Sequence, residues 1–271
     1  MKPYVTHCAL RLGDNLAHLH FIRHLALLHP EDRFVHYAHA PYLFQLKDVV
    51  RDLRNVVLMD LDTNGHGDYW RMVPNGGGSI DAWKNAGGFW INHPLKNYYA
   101  EFFIEFFHHL SARMGLESPF TKTEDLLFDY PCLHDPSDNA TCAPFDFLVI
   151  NSNPMSGQAS GFLQVEMSSL IDELHSKKYS IITTAHSGVN CTCTAFAGMT
   201  VTQIGRLSQS CKYILMVSTG PSWPTFNVWN VDSVKKRVVI IDSEIIGLSK
   251  NTEQVRTVHQ ARLALVTAGI L

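Results

Sequence analysis

Strand-like and helix-like segments alternate along the first half of this chain, stop at a proline-bearing linker, and then alternate again. Short apolar runs followed by helices with an apolar residue every three or four positions build a parallel sheet covered by helices. In the first half, strands are expected over Tyr4–Leu10, Phe34–Ala38 and Val56–Leu61, and helices over Tyr42–Leu53 and Leu95–Met114. A helix is also expected to start at Gly13-Asp14-Asn15, with Leu16, Leu19, Ile22, Leu25 and Leu28 on one buried face. Between Phe128 and Phe145, Pro131, Pro136 and Pro144 lie among Asp, Ser, Asn and Cys, the composition of a linker. Past it, strands are expected at Phe147–Asn151, Tyr179–Thr184, Tyr213–Val217 and Val238–Asp242, with helices at Gly161–His175, Thr200–Ser210 and Thr252–Thr267. Domains run to roughly 100–150 residues, so 271 residues suffice for two. The expected organisation is α/β, with one Rossmann-like domain over residues 1–140 and a second over residues 141–271.

Composition narrows the partners. Hydrophobic residues make up 46% and charged residues 17%, an ordinary globular balance. A net charge of -3 argues against a nucleic-acid partner, because such proteins carry a basic surplus that displaces counterions from phosphates. The apolar-rich stretch Tyr98–Leu110 is interrupted by Glu101, Glu105, His108 and His109, so no bilayer-spanning segment is read. The start has no basic region leading into an apolar core, and a cytoplasmic location is the expectation. The six cysteines are scattered, and Cys191-Thr-Cys193 lacks the two-residue gap of zinc and redox motifs, so free thiols are expected.

Ligands of open parallel sheets bind at the carboxyl ends of the strands. Directly after the first strand stands Leu12-Gly13-Asp14-Asn15-Leu16, where Asp14 either caps the helix or takes a proton from a substrate hydroxyl. Directly after the strand Tyr213–Val217 stands Ser218-Thr219-Gly220-Pro221-Ser222. Its hydroxyls and the amides of a helix start suit a diphosphate, with Pro221 at the first helical position. A third loop, Asn153 to Gln158, brings Ser156 and Gly157 but no P-loop pattern. From Asp62 to Asn92 the periodicity fails in a long segment carrying Trp70, Trp83 and Trp90, and long loops of this kind are usually functional or disordered.

Gly13-Asp14 ahead of an apolar-periodic helix resembles the opening of the family 9, heptosyltransferase-like glycosyltransferases. Ile204-Gly205-x-Leu207-Ser208, then a strand, then Ser218-Thr219-Gly220-Pro221, resembles their donor-binding region. The resemblance implies a GT-B fold, two Rossmann-like domains facing across a cleft, with a nucleotide-sugar donor and a carbohydrate or glycoconjugate acceptor. It implies Asp14 as catalytic base, and Ser218, Thr219, Gly220, Pro221 and Ser222, with Ser156 and Gly157, around the donor. Gly13, Asp68, Trp70, Arg71, Trp83 and Lys84 would then meet the acceptor, since sugar rings pack on aromatic planes. No cofactor and no metal are expected. Peripheral membrane contact is left open. Ser218 stands where the family usually has aspartate and Trp223 where it usually has histidine. Two alternatives stay in view: a nucleotide-sugar epimerase, which uses the same two-domain fold, and a non-catalytic nucleotide-sugar-binding protein, which those departures keep open.

Overall fold

The computed structural model describes residues 3–8, 11–61, 80–81, 99–133, 145–155, 159–242 and 249–271. It divides into two units, Met1–Leu126 and Leu127–Leu271. The division falls ahead of the proline-bearing linker because residues from Phe128 onward are already paired within the second unit. The Phe128 amide donates to the Phe226 carbonyl (2.9 Å), and the Phe128 carbonyl accepts from Val228 (3.1 Å). Residues 134–144, which include position 140, lie outside the described residues.

The first unit holds a parallel sheet of β1 (Tyr4–Cys8), β2 (Phe34–Ala38), β3 (Val56–Asp60) and β4 (Ile80–Asp81), in the order β3-β2-β1-β4. Helix α1 (Leu12–Leu28) follows β1, and α2 (Ala40–Leu46) follows β2. Leu16, Leu19, Ile22 and Leu25 are buried as the spacing predicts, while Leu28 is 60% exposed. Burial is not confined to one face, because α3 (Tyr99–Met114) covers α1 as well. Phe21 stacks on Phe107 with ring centroids 4.7 Å apart, and His18 stacks on Phe106. The helix expected to reach Leu53 stops early and tightens into a 3-10 turn at Lys47–Val49. The buried Arg23 guanidinium explains the stop: it binds the Val49 carbonyl and grips the Asp52 carboxylate with two bonds of 2.6 and 2.8 Å.

The second unit holds β5 (Phe147–Ile150), β6 (Ile181–Thr183), β7 (Thr192–Cys193), β8 (Tyr213–Val217), β9 (Lys236–Ile240) and β10 (Thr252–Val255). Their order, β10-β9-β8-β5-β6-β7, is the 3-2-1-4-5-6 arrangement of dinucleotide-binding domains, parallel throughout. Phe147, Val149, Leu215, Val217, Val238 and Ile240 pack against Met167, Leu170, Ile171 and Leu174 of α4 (Gln164–Ser176) and Val258, Ala261 and Leu265 of α6 (Val258–Thr267). The intervening Leu148, Ile150, Ile214, Met216 and Val239 are buried on the other face, as a sheet covered on both sides requires. Helix α5 (Val201–Leu207) is capped by the Thr200 hydroxyl, which accepts from Gln203.

One expected element changes type. Thr252–Thr267 reads as a single helix, but Thr252–Val255 pairs with Arg237–Ile240 as edge strand β10, and the helix starts only after the Thr257 cap. Sheet pairing overrides local propensity there. Among the described residues no helix is long and apolar enough to cross a membrane. Cys191 and Cys193 are free thiols.

Candidate functional site

Where strand order reverses in an open parallel sheet, the loops leaving the two neighbouring carboxyl ends diverge and open a crevice. In the first unit that reversal lies between β1 and β4, and in the second between β5 and β8. The segment following β1 leads to Asp14, and the segments following β5 and β8 contain the two candidate donor loops. Topology thus brings candidate residues in each unit to that unit's switch point.

Asp14 is the third residue of α1, whose cap is Arg11, so the helix begins earlier than Gly13. The Asp14 carboxylate does cap the helix, but from inside its first turn, accepting the Arg11 amide at 3.1 Å. Gly13 is buried beside it. Burial pushes the Asp14 carboxyl above its usual range, and this outweighs the lowering effect of the Arg11 hydrogen bond and guanidinium. A carboxylate raised in this way is a better proton acceptor than one in water. Asp14 is both a cap and a chemically tuned acid.

After β8, the Ser218 amide extends the sheet by donating to the Ile240 carbonyl (3.0 Å). Thr219 then caps a 3-10 helix, Gly220–Thr225, in place of the expected α-helix, so Pro221 takes its second position. The Ser222 hydroxyl donates to the Thr219 carbonyl (2.6 Å) and accepts the Thr219 amide (3.2 Å). Ser218 and Ser222 are 5% and 4% exposed and serve the turn, while Thr219, Gly220 and Pro221 are partly exposed. Of the expected cradle, those three are the residues the fold presents outward.

The Gly205 and Ser208 of the donor-region motif hold this turn from beneath. A Cβ on Gly205 would lie 2.6 Å from the Pro224 Cβ and 2.7 Å from its carbonyl oxygen, so only glycine lets the turn approach α5 this closely. The Ser208 hydroxyl accepts from the side chains of Asn230 (2.6 Å) and Asn227 (3.4 Å). Arg237, fully buried on β9, donates to the Thr225 carbonyl (2.9 Å) and to Asn230 Oδ1 (3.2 Å), and lies over the Phe226 ring at 4.6 Å. Burial lowers its pKa to about 10, which leaves it charged at neutral pH.

After β5, Asn151 ties two crest loops together. Its amide donates to Thr184 Oγ1 (3.1 Å), its side chain donates to the Ala185 carbonyl (2.9 Å), and its Oδ1 accepts the Ala185 amide (2.8 Å). Further along, the Ser160 amide donates to the Asp242 carboxylate (2.8 Å), which anchors the loop from beyond β9. Sequence reading places Asn151 and Asp242 merely at strand ends, and their pairing is visible only in three dimensions. Ser156 and Gly157 lie outside the described residues, as do Asp68, Trp70, Arg71, Trp83, Lys84 and Trp90.

No protein-family model matches the chain, and no curated protein matches it in sequence. Solved structures do match. The E. coli heptosyltransferase WaaC with ADP-2-deoxy-2-fluoro heptose is 14% identical, with 97% of this chain and 99% of that one covered and a TM-score of 0.59. A family 9 glycosyl transferase from Veillonella parvula is 11% identical, covering 100% and 90%, at a TM-score of 0.53. The E. coli ADP-heptose LPS heptosyltransferase II is 10% identical, covering 99% and 100%, at 0.50. The chain therefore has a two-domain, Rossmann-like GT-B fold. It is the fold shared with the heptosyltransferase and family 9 structures just named.

Proposed function

We propose that the protein is a glycosyltransferase that moves a sugar from a nucleotide-diphosphate donor to an acceptor hydroxyl with inversion at the anomeric carbon. The observation that carries this is Asp14, a partly buried carboxyl held above its usual pKa at the switch point of the first unit. The fold adds support, since structures that share it were solved with ADP or an ADP-heptose analogue.

In the proposed reaction the Asp14 carboxylate removes the acceptor's hydroxyl proton. The acceptor oxygen bonds to the anomeric carbon as the bond from that carbon to the diphosphate oxygen breaks. The nucleoside diphosphate leaves with the bonding electron pair, met by the Thr219–Gly220 backbone. The residues supply this chemistry without a metal or a cofactor, in the cytoplasm, with a carbohydrate or glycoconjugate as acceptor.

A thermal-shift panel of nucleoside diphosphates tests the donor assignment. A nucleotide at 100 times its dissociation constant should stabilise by about 2.7 kcal/mol, and a flat response to every nucleotide would refute it. Asp14→Asn tests the base: transfer should collapse while nucleotide binding persists.

A further inference from the structure

Behind the Asp14 turn a chain of hydrogen bonds runs through the first unit. Asn15 is fully buried, and its Nδ2 donates to the Arg11 carbonyl (3.0 Å), which also accepts the Asn15 amide (3.1 Å). The Arg11 amide in turn is held by the Asp14 carboxylate. With Nδ2 committed to Arg11, the oxygen of the Asn15 side chain faces His36 Nε2 at 3.3 Å. An amide oxygen only accepts, so Nε2 carries the proton. The other nitrogen of the neutral ring, Nδ1, accepts from the Thr6 hydroxyl at 2.9 Å. The direction of each of these bonds follows from the groups it joins.

From this geometry we infer that His36 is a positioning residue: with Thr6 and Asn15 it locks the first turn of α1 and so fixes the place and burial of the Asp14 carboxyl. The inference rests on the reading of Asp14 as the proposed base. Three elements contribute one member each, β1 through Thr6, β2 through His36 and α1 through Asn15. The parallel register sets Thr6 directly opposite His36. The ring is suited to the task because it does not change charge at physiological pH: burial, with the neighbouring His7, holds His36 down to about 3. His18 of α1 meets the same ring edge-on at 6.2 Å, and Arg11 is the charged group beside Asp14.

The test reads Asp14 directly, by carbon NMR titration of labelled aspartate in the full chain, with Asp14→Asn assigning the signal. Wild type should titrate above the ordinary aspartate range. His36→Leu removes the donor to Asn15, loosens the turn and hydrates the carboxyl, so the titration should fall toward the ordinary aspartate range. His36→Gln places an amide N–H where Nε2 was and should restore the wild-type curve. Should His36→Leu fail to fold, Thr6→Val removes the hydroxyl that donates to Nδ1 while Asn15 still holds the Nε2–H tautomer. Nitrogen NMR of His36 should then keep the Nε2–H signature, with Asp14 moving in the same direction. An Asp14 curve unchanged in the folded variant would overturn the inference. Because this readout needs no turnover, it separates from the base assignment, which fails only if Asp14→Asn still transfers sugar.

Discussion

Gly205→Ala sets two physical effects against each other. In a helix interior, alanine is favoured over glycine by about 1 kcal/mol, so propensity alone makes the change stabilising. The new Cβ, however, would lie 2.6 Å from the Pro224 Cβ and 2.7 Å from its carbonyl oxygen. Carbon atoms in contact sit roughly 3.5–4.0 Å apart, so about 1 Å must be found by moving backbone as well as side chain. Pro224 belongs to a 3-10 helix tied down by Thr225, Asn227 and Arg237, so little of that displacement is free. Overpacking of this kind costs about 1–3 kcal/mol; with so little of the displacement free the upper part of that range applies, and net destabilisation approaching about 2 kcal/mol is expected once propensity is subtracted. Urea denaturation measures it as a lower midpoint at unchanged slope. The displaced turn also carries Thr219 and Gly220, so nucleoside diphosphate binding should weaken in the folded variant. A Gly205→Ala protein as stable as wild type would refute the close packing of α5 on this turn.

Three other outcomes follow from the charged and buried groups. A carboxyl with a raised folded pKa binds more protons folded than unfolded, so its contribution falls as pH rises from about 4 through the folded value. Asp14→Asn should therefore gain stability relative to wild type at pH 7 while matching it near pH 3, as paired denaturation curves would show. His36 has the opposite dependence on acid. Its folded pKa of about 3 lies below the ordinary 6.5, so its contribution is full above 6.5 and is lost on acidification at up to about 1.4 kcal/mol per pH unit; His36→Gln should flatten stability between those limits. Arg237 is buried over an aromatic ring and bound to two neutral oxygens. Arg237→Lys should destabilise more than Arg237→Met, since lysine keeps a buried charge but loses the guanidinium nitrogen that reaches both acceptors. A calorimetric melt showing methionine as the worse of the two would contradict this.

Strand β2 spans Phe34–Ala38 and β8 spans Tyr213–Val217, the limits that the apolar runs alone indicate. Those signals are local: a short apolar run between turn residues has few other ways to bury its side chains. The placement of Gly13-Asp14 and Ser218–Ser222 after strands was legible for the same reason, because chain order already sets a loop after a strand end. What tertiary structure decided is the use of each group. Thr252–Val255 looks helical by spacing and is a strand because Arg237–Ile240 offers it a hydrogen-bonding edge. Asp14 could be a cap or a base by type, and only the depth of its turn shows that it caps while keeping a raised pKa. His36 is one of fifteen histidines and carries no mark in the sequence. Its tautomer comes from the hydrogen bonds of Thr6 and Asn15, which meet it through the register of two strands and the start of a helix, and its fixed neutrality comes from burial beside His7. Periodicity records which side of an element is buried, whereas hydrogen-bond direction, desolvation and close approach depend on atoms far away along the chain.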